Sequence, residues 1–260
     1  MTIQDAHYVL VQAYLNRSVR WRLVHQPGPL LDEFVLDEDE RAMLCGLDGG
    51  SLAEFGRQLA AKRREMLRRR FPRTVELLSR SATPVVDRFV ELRPPRPNDV
   101  ERAGDAEFVE FVAATAREFA DVPWYAGDVC RFERAVGAAR GAAGWRVATA
   151  VPPPRPRLEP STVVWTPAST VAQRHSCDVV GLVAGTRSLD DPGEPCRTVT
   201  APSPRGGLPV VLKVGEATAE LIDAAREPRT IGAFAAGGGD AVGETVAQLV
   251  GAAVLRAVAA

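Results

Sequence analysis

Hydrophobic positions recur every three or four residues through the first half of the chain, from His7 to about Arg140. Near the start of this region, Val9, Leu10 and Ala13 fall on one face of a helix. Stripes of this kind usually face a protein core rather than a ligand. The pattern therefore predicts a series of amphipathic helices.

Glycine and proline mark the ends of these predicted helices. The glycine pair 49–50 separates two helices, and Ser51 with Glu54 has the spacing of a capping box at the start of the second. Pro72 predicts that this helix stops and a new one starts. The proline cluster at 94–97 predicts a rigid surface connection before the next helix.

The pattern changes at Val151, where a proline-rich stretch predicts an extended linker. Short β-prone pieces follow, with a short helix predicted within 176–186. The predicted strands lie in 161–166, 169–175, 196–200 and 208–215. Three helices complete the chain, and they are predicted within 216–227, 229–237 and 243–259.

This order of elements predicts an α+β fold with two domains. Residues 1–145 form a helical domain, residues 146–160 a proline-rich linker, and residues 161–260 a small sheet with three helices. A hairpin and strand followed by three helices is the order of a winged-helix-like domain.

Composition and charge narrow the function classes. The chain has 32 basic and 33 acidic residues, so its overall electrostatic field favours neither DNA nor an anionic membrane.

No secretory signal pattern and no apolar run of about 20 residues is present, which predicts a cytoplasmic protein without a membrane span. The four cysteines show no Cys-x-x-Cys spacing, so neither a zinc module nor a disulfide framework is predicted.

Catalytic machinery is scarce in the sequence. The three histidines are far apart, and no His-Glu-x-x-His or Gly-x-Ser-x-Gly pattern occurs. His175 and Cys177 supply only two possible metal ligands. Cys130 has Arg131 beside it, but its position next to an apolar helix face favours a small buried hydrophobe.

A run of basic residues is the strongest local charge feature. Its members wrap around most of a helix rather than forming one stripe, which is typical of a solvated helix or of a site for an acidic partner. They are Arg57, Lys62, Arg63, Arg64, Arg68, Arg69, Arg70 and Arg73.

Residues 65–260 resemble the partner subunits of multinuclear non-heme iron-dependent oxidases, a family that includes the methanobactin-biosynthesis partner protein. The resemblance is carried by Phe71-Pro72, Arg93-Pro94-Pro95, Gly104, Phe108, Phe111, Pro123-Trp124, Asp128, Arg131 and Glu133. It implies a non-catalytic subunit that forms a heterodimer with an iron oxidase. The subunit would present a ribosomally made precursor peptide for modification, commonly at cysteine. Iron is expected in the oxidase, and no cofactor is expected in this chain.

Two sets of site residues follow from the resemblance and from the residue types. Aromatic and arginine side chains are favoured at interface centres, so oxidase docking is assigned to Pro123, Trp124, Tyr125, Asp128, Arg131 and Glu133. The leader segment of the precursor is expected to add as a strand along the hairpin of 196–214. The expected peptide-binding residues are Thr198, Val199, Val210, Val211, Leu212 and Lys213.

Two other classes of function remain open from the residues alone. A winged-helix transcription regulator would use the basic run on DNA, with steeply salt-dependent affinity. Its expected recognition segment, however, offers only Arg229 as a basic residue. A thiol or metal enzyme would depend on Cys130, or on His175 and Cys177, and serine replacements at these cysteines would abolish its activity.

Overall fold

The computed structural model describes residues 3–94, 101–142, 158–203, 207–238 and 240–258. These residues form thirteen helices and six strands, so the predicted mixed α+β class is confirmed. Packing divides the chain into two compact units, Met1–Cys130 and Arg131–Ala260.

The first unit is helical, as the hydrophobic pattern predicts. Its elements are α1 (Ile3–Leu15), α2 (Arg17–His25), α3 (Pro27–Leu31), α4 (Glu38–Cys45), α5 (Gly49–Arg70), α6 (Pro72–Leu78), α7 (Val85–Leu92), α8 (Glu101–Glu118) and the start of α9 (Ala126–Ala142).

The start of α5 differs from the predicted capping box. The helix begins at Gly49, and the Asp48 carboxylate accepts a hydrogen bond from the Ser51 backbone N–H at 2.6 Å. The Glu54 carboxylate instead accepts hydrogen bonds from the side chains of Arg57 and Gln58. The predicted box at Ser51 and Glu54 is therefore wrong, because Asp48 occupies the N-cap position three residues earlier.

Aromatic rings form one centre of the first unit. Phe108 is fully buried, and its ring centroid lies 5.0 Å from that of Phe71 and 4.9 Å from that of Phe89. Pro72 takes the first turn of α6, where its missing N–H costs nothing. This confirms the predicted restart and sets Phe71 into the core. A second cluster of buried residues joins α1 to α5 through Val9, Ala13 and Leu52.

The second unit contains the remainder of α9 and all six strands. In chain order its other elements are β1 (Val163–Trp165), β2 (Val171–His175), α10 (Val179–Ala184), β3 (Cys196–Ala201), β4 (Val210–Lys213), α11 (Glu216–Ala224), β5 (Arg229–Thr230), α12 (Ile231–Gly238), α13 (Asp240–Gly251) and β6 (Arg256–Val258).

The end of the chain differs from the single long helix predicted for 243–259. Helix α13 ends at Gly251, and Ala253 adopts a left-handed backbone with φ of 60°. The N–H groups of Val254 and Leu255 donate to the carbonyl of Leu249, which closes the turn. The residues beyond it pair with β1 as strand β6, so tertiary pairing replaces the last helical turns.

The strands form two separate antiparallel sheets of three strands each. One has the order β5-β1-β6 and the other β2-β3-β4. Buried residues of both sheets and of α11 and α13, among them Val164, Val199, Ile222 and Val246, form a single core. In the sequence, the boundary between the two units falls within α9, whereas most of the predicted linker, residues 146–157, lies outside the described residues.

Candidate functional site

The β2-β3-β4 sheet carries the residues expected to bind a peptide. Strand β3 is the central strand: Thr198 pairs with Gln173 on β2 and with Lys213 on β4, and Val199 likewise has a partner on each side. A further strand therefore cannot add along β3. This corrects the expectation for Thr198 and Val199, whose backbone groups face neighbouring strands of the same sheet.

Strand β4 is an edge strand that contains the other four expected residues. The Val214 N–H donates to the Arg197 carbonyl, which sets the alternation of the ladder. The backbone groups of Leu212 and Val210 therefore face β3, whereas those of Val211 and Lys213 face away from it. No strand pairs with that outer side among the described residues.

The side chains of β4 also alternate. Val210 and Leu212 are half-buried and pack against the core of the second unit, as do Phe234 of α12 and Val242 of α13. The side chain of Lys213 lies on the other face, where its Nζ is 2.6 Å from Asp178 Oδ1. An edge strand with partly covered apolar side chains can accept an extended segment with alternating apolar residues.

Asp178 joins three segments of this unit. Its carboxylate forms an ion pair with the ammonium of Lys213. It also accepts hydrogen bonds from the Arg187 Nε–H and from the Gly181 backbone N–H, each at 3.0 Å. Burial raises the pKa of the Asp178 carboxyl, but the bonds from Lys213, Gly181 and Arg187 outweigh burial and lower the pKa below its ordinary value. Asp178 precedes a short apolar run, so the sequence indicates that it can cap a helix. The sequence does not indicate its ion pairs, because Arg187 and Lys213 lie in other segments.

A charged pocket of about 760 Å³ lies beside this junction. Its basic residues are Arg174, Arg187, Arg197 and Lys213. Its acidic residues are Asp178, Asp191, Glu194 and Glu216. Sequence reasoning missed this pocket because its residues come from β2, β3 and β4, from the segments on either side of α10, and from the start of α11.

Two thiols and His175 are buried, whereas Cys196 is partly buried and Cys45 is exposed. Cys130 and Cys177 are fully buried, and His175 is 1% exposed, with its Nε2 3.0 Å from the Thr198 hydroxyl. Burial raises the pKa of the Cys196 thiol, whose Sγ lies 3.1 Å from the Cys177 carbonyl oxygen. Within the described ranges, no group of three or more His, Cys, Asp or Glu side chains is placed to hold a metal.

The residues expected to dock an oxidase differ in exposure. The Trp124 side chain is 61% exposed, and its ring stands nearly perpendicular to that of Tyr125. Arg131 is exposed and Pro123 half-buried. Tyr125, Asp128 and Glu133 are buried, so a partner could touch Trp124 and Arg131 directly but not these three side chains.

Most of the basic run, which lies on α5 except for Arg73 on α6, is engaged within the chain. Arg57 pairs with Glu54, Arg64 with Asp87, Arg68 and Arg69 with Glu65, Arg70 with Asp105, and Arg73 with Glu76. The guanidinium of Arg63 lies over the ring of Phe89. These contacts satisfy side chains that a nucleic-acid site would need to offer to phosphates.

The fold and site define a mixed α+β chain with two small antiparallel sheets and an open edge strand beside a charged pocket. Comparison with known proteins adds no relative: no family model, curated protein or solved structure matches the chain. Of the described helices, none combines the length and the apolar character that crossing a membrane requires.

Proposed function

We propose that this chain is a non-catalytic partner subunit that binds the leader of a ribosomally synthesised precursor peptide and presents it to a multinuclear non-heme iron oxidase. The observation that carries the proposal is the outer edge of β4. There, the outward backbone groups of Val211 and Lys213 lie beside the half-buried side chains of Val210 and Leu212.

The leader would bind as an added strand. Its backbone would bond with Val211 and Lys213, and its alternate side chains would reach the apolar surface next to Val210 and Leu212. In this proposal the second unit is a winged-helix-like recognition domain, and the protein acts in the cytoplasm. Holding the leader raises the concentration of the reacting segment at the oxidase iron, to roughly millimolar where the linker spans the distance.

Docking to the oxidase is assigned to the surface around Trp124. A tryptophan that is 61% exposed presents a large, rigid apolar ring at low entropic cost. Arginine side chains are also favoured at interface centres, and on this ground Arg131 is assigned to docking as well. The ring of Tyr125 packs edge-on against the indole of Trp124.

Co-purification from the native host tests the heterodimer. The tagged chain should recover an iron-bearing oxidase in stoichiometric amount, identified by mass spectrometry and metal analysis. Replacing Trp124 with alanine should weaken that complex at least about tenfold. The matched control is Trp21→Ala, because Trp21 is 53% exposed on α2 and belongs to no proposed interface. Recovery of the chain without an iron-bearing partner would reject the heterodimer, and equal effects of the two substitutions would reject the docking surface.

Peptide binding is tested at one backbone group. Val211→Pro removes an outward N–H but keeps the ladder bonds of Leu212 and Val210 to β3. It should abolish binding of the precursor peptide that co-purifies with the complex, whereas Val211→Thr, which keeps the N–H and the side-chain shape, should bind. A proline variant that folds with an unchanged melting temperature and still binds the precursor would contradict strand addition at β4.

The transcription-regulator alternative receives no specific support. Its phosphate contacts would have to come from a run whose arginines are paired with carboxylates of the same chain. The thiol-enzyme alternative would require Cys130 or Cys177 to meet a substrate, and both are fully buried.

A further inference from the structure

Two arginines stand directly opposite each other on neighbouring strands. Arg174 of β2 is the registered partner of Arg197 of β3, so both side chains project from the same face of the sheet. Like charges in this position destabilise a sheet. A local arrangement that costs stability is a common mark of a binding function.

The two arginines differ in how their charge is balanced. The side chain of Arg197 is 23% exposed and pairs with Glu216 at the start of α11. Arg174 is exposed, and within the described part of the chain no hydrogen bond or ion pair engages it. The pair therefore keeps one uncompensated guanidinium.

Both arginines line the charged pocket. The other two basic residues of the pocket, Lys213 and Arg187, are already paired with acidic residues of the chain. Asp178 serves Lys213 and Arg187 together, and Arg187 also bonds Asp191 at 3.0 Å. Glu194 is exposed at the same pocket, and Asp223 lines a second pocket with both arginines, but neither acid makes a bond to Arg174 among the described residues. The position facing Arg174 is thus available to an anionic group from outside.

We infer that this pocket binds a carboxylate of an acidic peptide segment, with Arg174 as the principal contact and Arg197 beside it. The planar guanidinium matches a carboxylate through two parallel hydrogen bonds. The four acids that line the pocket disfavour several adjacent negative groups, so one carboxylate fits better than the row of phosphates of a nucleic-acid backbone. Lys213 and Val214, at the end of β4, also line the pocket.

The position of the pocket beyond the end of β4 indicates where the acidic residue lies in the peptide sequence. A strand added along β4 would pass Lys213 and reach the pocket, so its acidic residue would follow the apolar alternating stretch. This order of residues in the leader rests on the proposed function. Carboxylate binding itself does not, and it can be measured without a precursor or an oxidase.

The test uses the full chain and three small probes: acetyl-Ala-Glu-Ala-amide, acetyl-Ala-Gln-Ala-amide and inorganic phosphate. Amide shifts of Arg174 and Arg197 are followed by NMR at low salt. The glutamate peptide should bind, the glutamine peptide should not, and Arg174→Ala should weaken binding at least about tenfold. Arg256→Ala is the matched control, because Arg256 is an exposed arginine on the edge strand β6 of the same unit.

A charge reversal gives a second readout. Arg174→Glu should lose the glutamate peptide and acquire binding of acetyl-Lys-Lys-Lys-amide. Equal weakening by Arg174→Ala and Arg256→Ala, equal binding of the glutamine peptide, or tighter binding of phosphate than of carboxylate would each overturn the inference. Glutamate binding at the pocket and precursor binding at the β4 edge are measured with different ligands and different variants, so failure at one site and failure at the other are separate results.

Discussion

Asp178 shows how a single side chain links distant parts of the second unit. It lies between β2 and α10 in sequence, yet it binds Arg187, which follows α10, and Lys213, on β4. Its side chain is 12% exposed, whereas that of Lys213 is 48% exposed. A carboxylate that is this buried is stable in its charged form only while its basic partners pair with it.

Replacing Asp178 with asparagine tests the ion pairs, because asparagine keeps an oxygen for the Gly181 N–H. Near neutral pH we expect the melting temperature to fall by a few degrees. The folded-state pKa of Asp178 is lowered, so its stabilisation is complete above the ordinary carboxyl value of about 4 and is lost as pH falls through the lower folded value. The difference between wild type and Asp178→Asn should therefore shrink in acid.

Thermal melts at a series of pH values provide the measurement. Glu220→Gln is the control, because Glu220 is an exposed carboxylate on α11. A deficit of Asp178→Asn that stays constant down to strongly acidic pH would show that the ion pairs do not cause it.

At the scale of elements, the contact between α1 and α5 depends on one missing side chain. A Cβ on Gly56 would collide with the backbone carbonyl of Tyr14, and backbone cannot move aside as a flexible side chain can. The glycine therefore allows the two helices to approach closely, which offsets its low helix propensity. The ring of Tyr14 also packs against Phe55, with centroids 4.7 Å apart.

Gly56→Ala should lower the free energy of unfolding of the first unit by about 1–3 kcal/mol, because α1 must shift to admit the methyl group. Gly104→Ala is the matched control: Gly104 lies within α8, and nothing would lie within 4 Å of its added Cβ. That substitution should stabilise by about 0.5–1 kcal/mol. Denaturant unfolding followed by circular dichroism measures both, and stabilisation by Gly56→Ala would contradict the close approach.

For the whole molecule, charge balance argues against nucleic acid. The formal net charge is -1, and the basic run on α5 is largely paired inside the chain. Long-range attraction to a polyanion is consequently weak.

Fluorescence anisotropy with a random-sequence DNA duplex should show no affinity tighter than about 10⁻⁶ M at physiological salt. Glu65→Gln removes the partner of Arg68 and Arg69, so this variant should bind DNA more tightly than wild type. Submicromolar binding by wild type that falls steeply with salt would instead favour the regulator.

Much of the fold could be predicted from the sequence because helices and strands depend on local periodicity. The helical character of the first unit, the restart at Pro72, the short helix within 176–186 and the strand before α11 all appear where their patterns lie. The start of α5 was missed because two residues, Asp48 and Ser51, are both good caps, and local pattern does not rank them.

Tertiary structure decided the features that depend on distant partners. Strand β6 exists because Arg256–Val258 pairs with β1, more than ninety residues earlier, although the local pattern is helical. The same applies to the site: the sequence indicated the hairpin, but only strand pairing placed β3 in the centre and β4 at the edge. The sequence by itself determined the class of fold and most elements, since each is stabilised by neighbours along the chain. The edge, the pocket and the facing arginines came from pairings between separated segments, which no local pattern contains.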